Sequence, residues 1–186
     1  MHIHPASHRT GIGNERIETQ ELEMPKVKDD EVLVKVMASG ICGTDVHIFY
    51  GQPGATQPNV PVVLGHEFAG EVVKCGNRTS RLKVGDKVTI DPNIYCGNCD
   101  YCLHGKKQFC PSMGAIGVNQ NGGFEEYCAV PEKQAILLVS ELISRKRLNL
   151  KPLITHCYPV EQLEEAIKKQ MANDSVKVMV FQQNEK

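Results

Sequence analysis

Two sets of residues in this chain have the types and the spacing of metal ligands. The first is split between Gly40-Ile-Cys42-Gly-Thr44-Asp45-Val-His47 and Gly65-His66-Glu67. Cys42 offers a thiolate and His66 an imidazole, both suited to a borderline-soft zinc ion, and Thr44, Asp45, His47 and Glu67 are close enough in sequence to support or complete such a site. Because 23 residues separate Cys42 from His66, that pair taken alone also reads as a buried thiol and a satisfied core histidine.

The second set is more specific. Cys96, Cys99, Cys102 and Cys110 are spaced two, two and seven residues apart, with Gly97, Asn98 and Gly105 between and beside them. Four thiolates in tight Cys-x-x-Cys turns satisfy tetrahedral zinc in a closed, structural site, and the spacing predicts a lobe over about residues 95–111. An iron-sulfur cluster is the other ligand that four cysteines accept. A disulfide framework belongs to small secreted chains, and nothing in this sequence resembles a secretory signal.

Together the two sets carry a family resemblance. From about Glu31 through Gly40-Ile-Cys42-Gly-Thr44, Val63-Leu-Gly-His66-Glu67-Phe-Ala-Gly-Glu-Val-Val, Val84-Gly-Asp-Lys-Val, the four-cysteine stretch and Gly122-Gly-Phe-Glu-Glu-Tyr127, the chain resembles the zinc-dependent medium-chain alcohol dehydrogenases, near their polyol (sorbitol-like) and threonine dehydrogenase branch. The likeness resumes at Lys151-Pro-Leu-Ile-Thr-His156. The resemblance implies a mainly β fold, a GroES-like, partly open β-barrel with a few helices and a four-cysteine structural zinc lobe. It also implies roles: Cys42 and His66 as ligands of a catalytic zinc, Asp45 as the carboxylate orienting the histidine, and Thr44 and His47 as the relay carrying the alcohol proton to solvent. In such enzymes zinc polarises the alcohol oxygen so that hydride passes to NAD or NADP. A third protein ligand just beyond the barrel has no counterpart, and Glu67, which approaches zinc in some members, is its substitute.

The elements that must position these residues are legible in part. Val32, Val34 and Val36 alternate with Leu33, Lys35 and Met37, the period of a strand. Further β-branched or aromatic runs span 71–75, 87–90, 126–130 and 176–181, punctuated by Gly, Pro, Asn and Asp. Many short strands separated by turns specify a barrel or a sandwich, and only the resemblance chooses between them. A helix is expected over 161–171, with Leu163, Ile167 and Met171 on one face and Glu164–Lys168 and Glu165–Lys169 pairs outside. A shorter helix is expected from about Ser140.

The whole chain has 186 residues, 41% of them hydrophobic, enough for one well-buried domain. Residues 1–139 read as the barrel and 140–186 as a return segment completing it. A net charge of −1 with scattered lysines argues against nucleic-acid or anionic-membrane partners, and no run has transmembrane length. We therefore expect a cytoplasmic protein whose eight cysteines mostly bind metal, with Cys75, Cys128 and Cys157 as small buried hydrophobes and the histidine-containing segment 1–10 as a frayed terminus.

A dinucleotide-binding signature is missing. Family members bind NAD(P) through an inserted dinucleotide domain with a Gly-x-Gly-x-x-Gly turn, and neither Gly11-Ile-Gly13 nor Gly114-Ala-Ile-Gly117 has that spacing. Only sixteen residues lie between Gly123 and Ser140, so a barrel strand runs straight into what resembles the return after the insertion. The sequence thus implies either a catalytic half that does not transfer hydride alone or a zinc-stabilised β-domain without turnover. Its substrate, by family, is a small alcohol or polyol. The face bared by the missing domain would favour self-association.

Overall fold

The computed structural model describes residues 4–10, 17–52, 57–137 and 149–182. The helix expected from Ser140 lies outside the described residues.

A hairpin of β1 (His4–Thr10) and β2 (Ile17–Leu22) stands as a separate two-stranded sheet. Residues 4–10, expected to fray, thus pair with residues 17–22 through main-chain hydrogen bonds, which do not depend on side-chain type. The central element is β3 (Glu31–Gly40), flanked on one edge by β4 (Glu67–Cys75). Beyond β4 lie β5 (Lys87–Ile90) and β9 (Ala135–Leu137). The other edge of β3 is divided: residues 31–35 pair with β8 (Tyr127–Pro131), and residues 38–40 pair with β11 (Lys177–Phe181). Parallel to β11, β10 (Ile154–Pro159) forms the sheet edge. Two short strands, β6 (Asn93–Ile94) and β7 (Gly114–Ala115), form a third sheet.

The alternation read from the sequence is realised from Val34 onward: Val34 and Val36 are buried, while Lys35 and Met37 face solvent. Val32, Val34, Val36, Phe68, Val72 and Val88 share one core with residues of β8 and β9, so the seven-stranded sheet wraps on itself without closing. This is the partly open barrel that the resemblance implies. A second core joins the segment around helix α1 (Gly43–Phe49) to the C-terminal segment. Phe49 of α1 and Leu64 pack with Leu163 and Ile167 of helix α3 (Leu163–Gln170) and with Val178 and Val180 of β11. The remaining α-helix among the described residues, α2 (Asp100–Leu103), is a single turn inside the cysteine lobe.

Three local expectations need correction. Met171 is 55% exposed, because α3 ends at Gln170 and Met171 is its C-cap. Glu164 bridges Lys168 at 2.6 Å, but Lys169 turns past the helix end to Asp174 at 2.8 Å instead of pairing with Glu165. Cys157 is exposed, not buried, since β10 is an edge strand. Cys128 is fully buried and Cys75 half-buried, its thiol 3.6 Å from the Leu82 carbonyl. No helix among the described residues is long and apolar enough to cross a membrane.

Candidate metal centre

The strand-to-helix junction after β3 sets the first ligand. Cys42 is the N-cap of α1, in an extended conformation. Its backbone N–H donates to Asp45 Oδ2 at 2.9 Å, so the carboxylate at the third helical position reaches back to the N-cap as its half of a capping box. The preceding residue is tied to the C-terminal segment: Ile41 N–H donates to the Val178 carbonyl at 3.0 Å.

The second ligand is set by a backbone clamp. Gly65, at φ +92°, holds a conformation that favours glycine, and a Cβ there would meet the Phe124 ring at 2.8 Å. The Gly123 N–H donates to the Gly65 carbonyl at 2.7 Å, and the Phe124 N–H to Leu64 at 3.0 Å. The buried Ser39 hydroxyl donates to the Gly123 carbonyl at 2.6 Å, tying this loop to β3. The Asn121-Gly-Gly-Phe124 stretch, which reads as a turn in sequence, is therefore the platform for His66.

With both supports in place, one sulfur of Cys42, one ring nitrogen of His66 and one oxygen of Glu67 lie within 4.8 Å of one another. Asp45, fully buried, turns its second oxygen toward His66 Nδ1 at 3.4 Å, and neither atom has another hydrogen-bond partner. Burial opposes a charge on His66, yet Asp45 and then Cys42 outweigh it and raise its pKa from 6.5 to about 9. Without a metal the imidazole thus holds a proton that a cation must displace. A ring oriented by a buried carboxylate, beside a thiol and a second carboxylate, fits a divalent ion of the zinc type.

A cleft of about 400 Å³ adjoins the cluster, lined by Thr44, His66, Pro92, Met113 and Val118 among others. The Thr44 hydroxyl lies 3.8 Å from the Cys42 sulfur. His47, one turn along α1, is exposed and does not line that cleft. Structure therefore brings Cys42, Thr44, Asp45, His66 and Glu67 together and leaves His47 at the surface.

The four sulfurs of Cys96, Cys99, Cys102 and Cys110 also fall within 4.8 Å of one another. Gly97, at φ +79°, makes the turn that brings them in. The Cys96 sulfur accepts the Cys99 N–H at 3.3 Å and lies 3.6 Å from Cys110 and 3.9 Å from Cys102. Backbone N–H groups of Asn98 and Cys99 draw the Cys96 pKa down to about 6, whereas burial pushes Cys102 up to about 12. One sulfur is thus poised as thiolate, and all eight cysteines are free of disulfides. A small closed cage of four sulfurs fits a structural zinc ion.

One residue at the site was not found from sequence. Lys177, at the start of β11, places its ammonium on Glu67 Oε2 and donates to the Ile41 carbonyl at 3.0 Å. No short motif marks it, because it is 110 residues from Glu67 in the chain.

Comparison with known proteins bears on the family and the fold. A family model for the alcohol dehydrogenase GroES-like domain matches residues 28–140. D-arabitol-phosphate dehydrogenase of Enterococcus avium is 44% identical over 123 residues, covering 66% of this chain and 34% of the relative. L-threonine 3-dehydrogenase of Caldanaerobacter subterraneus is 44% identical over 111 residues, covering 59% and 32% respectively. The chain spans about a third of the length of these curated relatives. Among solved structures, an alcohol dehydrogenase of Escherichia coli CFT073 with NADH superposes with a TM-score of 0.68 at 30% identity, covering 85% of this chain and 50% of that one. The cobalt- and zinc-bound alcohol dehydrogenase of Pyrobaculum aerophilum, at 17% identity, shares the fold with a TM-score of 0.82 over 97% of this chain and 100% of that one. The chain belongs to the alcohol dehydrogenase GroES-like family, that of the zinc-dependent medium-chain alcohol and polyol dehydrogenases.

Proposed function

We propose that this chain is the zinc-binding catalytic domain of an alcohol or polyol dehydrogenase, and that by itself it does not transfer hydride. The observation that carries the reading is the convergence of Cys42, His66 and Glu67 beside a cleft walled by Thr44. Those three residues hold a catalytic zinc, and Cys96, Cys99, Cys102 and Cys110 hold a structural one. When bound, the catalytic ion supplies Lewis acidity that lowers the pKa of the substrate hydroxyl. Asp45 fixes the ring of His66 through Nδ1, leaving Nε2 for the metal. Thr44, at the cleft wall, is placed to take the hydroxyl proton as it releases its own toward solvent, and His47, exposed one turn along α1, is the outer member of the relay that the family resemblance implies. A small alcohol or polyol fits a cleft of about 400 Å³.

Hydride acceptance needs NAD or NADP held with its reactive carbon within about 3–3.5 Å of the substrate carbon, positioning that supplies on the order of 7–11 kcal/mol of the barrier reduction. No Gly-x-Gly-x-x-Gly turn is present in the 186 residues to hold a pyrophosphate. The cofactor must then come on a separate dinucleotide-binding domain. Residues 1–139 and the return segment 140–186 make up one domain: β10 and β11 complete the sheet of β3, β4, β5, β8 and β9, and Phe49 and Leu64 share a core with Leu163 and Val178. Eight free thiols suit a reducing cytoplasm. The exposed Ile136 and Leu137 on β9 are the apolar positions from which self-association would begin. A net charge of −1 with scattered lysines argues against a nucleic-acid or anionic-membrane partner.

The test is NADH or NADPH formation from a panel of alcohols, polyols and threonine by the zinc-loaded chain, with Cys42→Ser as control, beside a metal count. Two zinc ions per chain and negligible turnover are expected. Robust turnover abolished by Cys42→Ser would overturn the claim that the chain does not transfer hydride alone. One ion per chain would favour a zinc-stabilised β-domain without a catalytic centre.

A further inference from the structure

Glu67 is a metal ligand with a second claim on it. It lies at the start of β4, directly across from Gly40 in the β3–β4 pair, and Gly40 is also the cross-strand partner of Met179 in β11. Gly40 is therefore the floor over which a side chain from β11 meets one from β4. A Cβ at Gly40 would come within 2.6 Å of Lys177 Cε, 2.9 Å of its Nζ and 3.0 Å of Glu67 Oε2. The absent side chain opens the channel in which the Lys177 ammonium sits on Glu67 Oε2 and donates to the Ile41 carbonyl at 3.0 Å. Ile41 immediately precedes the ligand Cys42 and is itself bonded to Val178. The C-terminal strand thus touches both the strand-to-helix junction that carries one ligand and the carboxylate of another.

We propose, on the reading that Cys42, His66 and Glu67 form a divalent metal site, that Lys177 is a positioning residue that competes with the metal for Glu67 and so weakens the site's hold on the ion. An oxygen that accepts from an ammonium has given up lone-pair density that a cation would use, and the ammonium repels a dication placed next to it. Glu67 is accordingly a part-time ligand, and a coordination position stays open for substrate, as a catalytic site requires. Because Lys177 belongs to β11, docking of the C-terminal segment against β3 sets the metal affinity of residues more than a hundred positions earlier in the chain.

The experiment uses the full chain and Co²⁺. The first equivalent fills the four-cysteine cage, and the second, with its distinct visible absorption, reports the Cys42–His66–Glu67 site under competition with a chelator at neutral pH. Lys177→Met should tighten binding of the second equivalent by about tenfold, the low end of what groups beside metal ligands control. It should also shift the visible bands as Glu67 becomes a full ligand. Lys177→Arg, which keeps the ion pair, should behave as the parent chain does. Gly40→Ala should act in the same direction as Lys177→Met by displacing the end of the lysine, and it does so with the lysine retained. In a Glu67→Gln background the gain from Lys177→Met should disappear. Equal tightening with and without Glu67 would show that the lysine acts only as a nearby charge, and the proposal would fall. Unchanged or weaker binding in both Lys177→Met and Gly40→Ala would also overturn it. A chain that takes up only one equivalent of Co²⁺ would overturn the metal-site reading itself, an outcome separate from the other two.

Discussion

Asp45 Oδ1 stands 3.4 Å from His66 Nδ1, and the same carboxylate's other oxygen accepts the N–H of Cys42 at 2.9 Å. One fully buried side chain therefore supports two ligands from opposite ends of the cluster. Its position as the third residue of α1 makes this geometry possible, because an N3 carboxylate reaches back to the N-cap while its helix turns the second oxygen inward. Capping a helix and aiming an imidazole are here a single act.

Replacing that carboxylate by an amide separates the two duties. Asp45→Asn keeps an acceptor for the Cys42 N–H but removes the charge facing His66. We expect binding of the second metal equivalent to weaken about 10–100-fold, the range for partners of ligating histidines, with the four-cysteine cage unaffected. Chelator competition measures it. Loss of both equivalents together would show that the substitution had unfolded the domain rather than mistuned the site.

Cys99→Ser tests the lobe. Structural zinc contributes roughly 10–16 kcal/mol of apparent binding energy in small sites, so a lobe held by three sulfurs should lose most of its order from about Gly97 to Pro111. The barrel should persist, since no residue of the lobe belongs to the core around Val34 and Phe68. Hydrogen exchange would show fast exchange confined to the lobe. Slow exchange there in the zinc-free parent chain would remove the metal from its role.

Much of this was legible in sequence because it is local. Cys-x-x-Cys turns declare their own geometry within a few residues, and the Val32–Val34–Val36 alternation fixes which face of β3 is buried beyond its first residues. The cluster of Cys42, His66 and Glu67 needed family resemblance, since two segments 23 residues apart carry no intrinsic instruction to meet. Lys177 and the Gly65–Phe124 clamp were not legible at all. Each depends on non-local strand pairing, in which register is set by the whole sheet rather than by the residues concerned. Met171 was misplaced for the opposite reason. Periodicity continued past the point where the backbone stops being a helix.

Glu132 is a staple of the same non-local kind. Its carboxylate accepts the N–H groups of Ser80 at 2.9 Å, Arg81 at 2.7 Å and Leu82 at 2.9 Å, fixing the loop before β5 to the strand end after β8. Burial resists the charge, but those three donors overcome it and hold the carboxyl below its ordinary pKa. A depressed folded pKa contributes stability that is present above the unfolded value near 4.5 and is lost as pH falls through the folded one. Glu132→Gln should therefore destabilise the chain at neutral pH by about 1–3 kcal/mol, and the deficit should shrink on acidification. Urea midpoints of the two chains at neutral and acid pH give the comparison. A deficit independent of pH would assign the loss to packing.

Glu125 works in the opposite sense. It is only 5% exposed, its Oε1 has no hydrogen-bond partner, and burial lifts its pKa from 4.5 to about 8 against a lowering contribution from the Cys128 thiol. The folded chain therefore binds this proton more tightly than the unfolded chain does. Its contribution to stability is complete below about pH 4.5 and is lost as pH rises through about 8, where a carboxylate must be accommodated in the interior. Glu125→Gln is nearly isosteric and cannot ionise. The substituted chain should match the parent at acid pH and exceed it above pH 8 by a few kcal/mol, since each tenfold difference in proton affinity between folded and unfolded chain is worth about 1.36 kcal/mol. Subtracting one stability–pH curve from the other cancels the pH dependence of the metal sites, which both chains share. A difference curve that stayed flat through this range would show that Glu125 is ionised in the folded protein and that the interior around Cys128 is more polar than its burial implies.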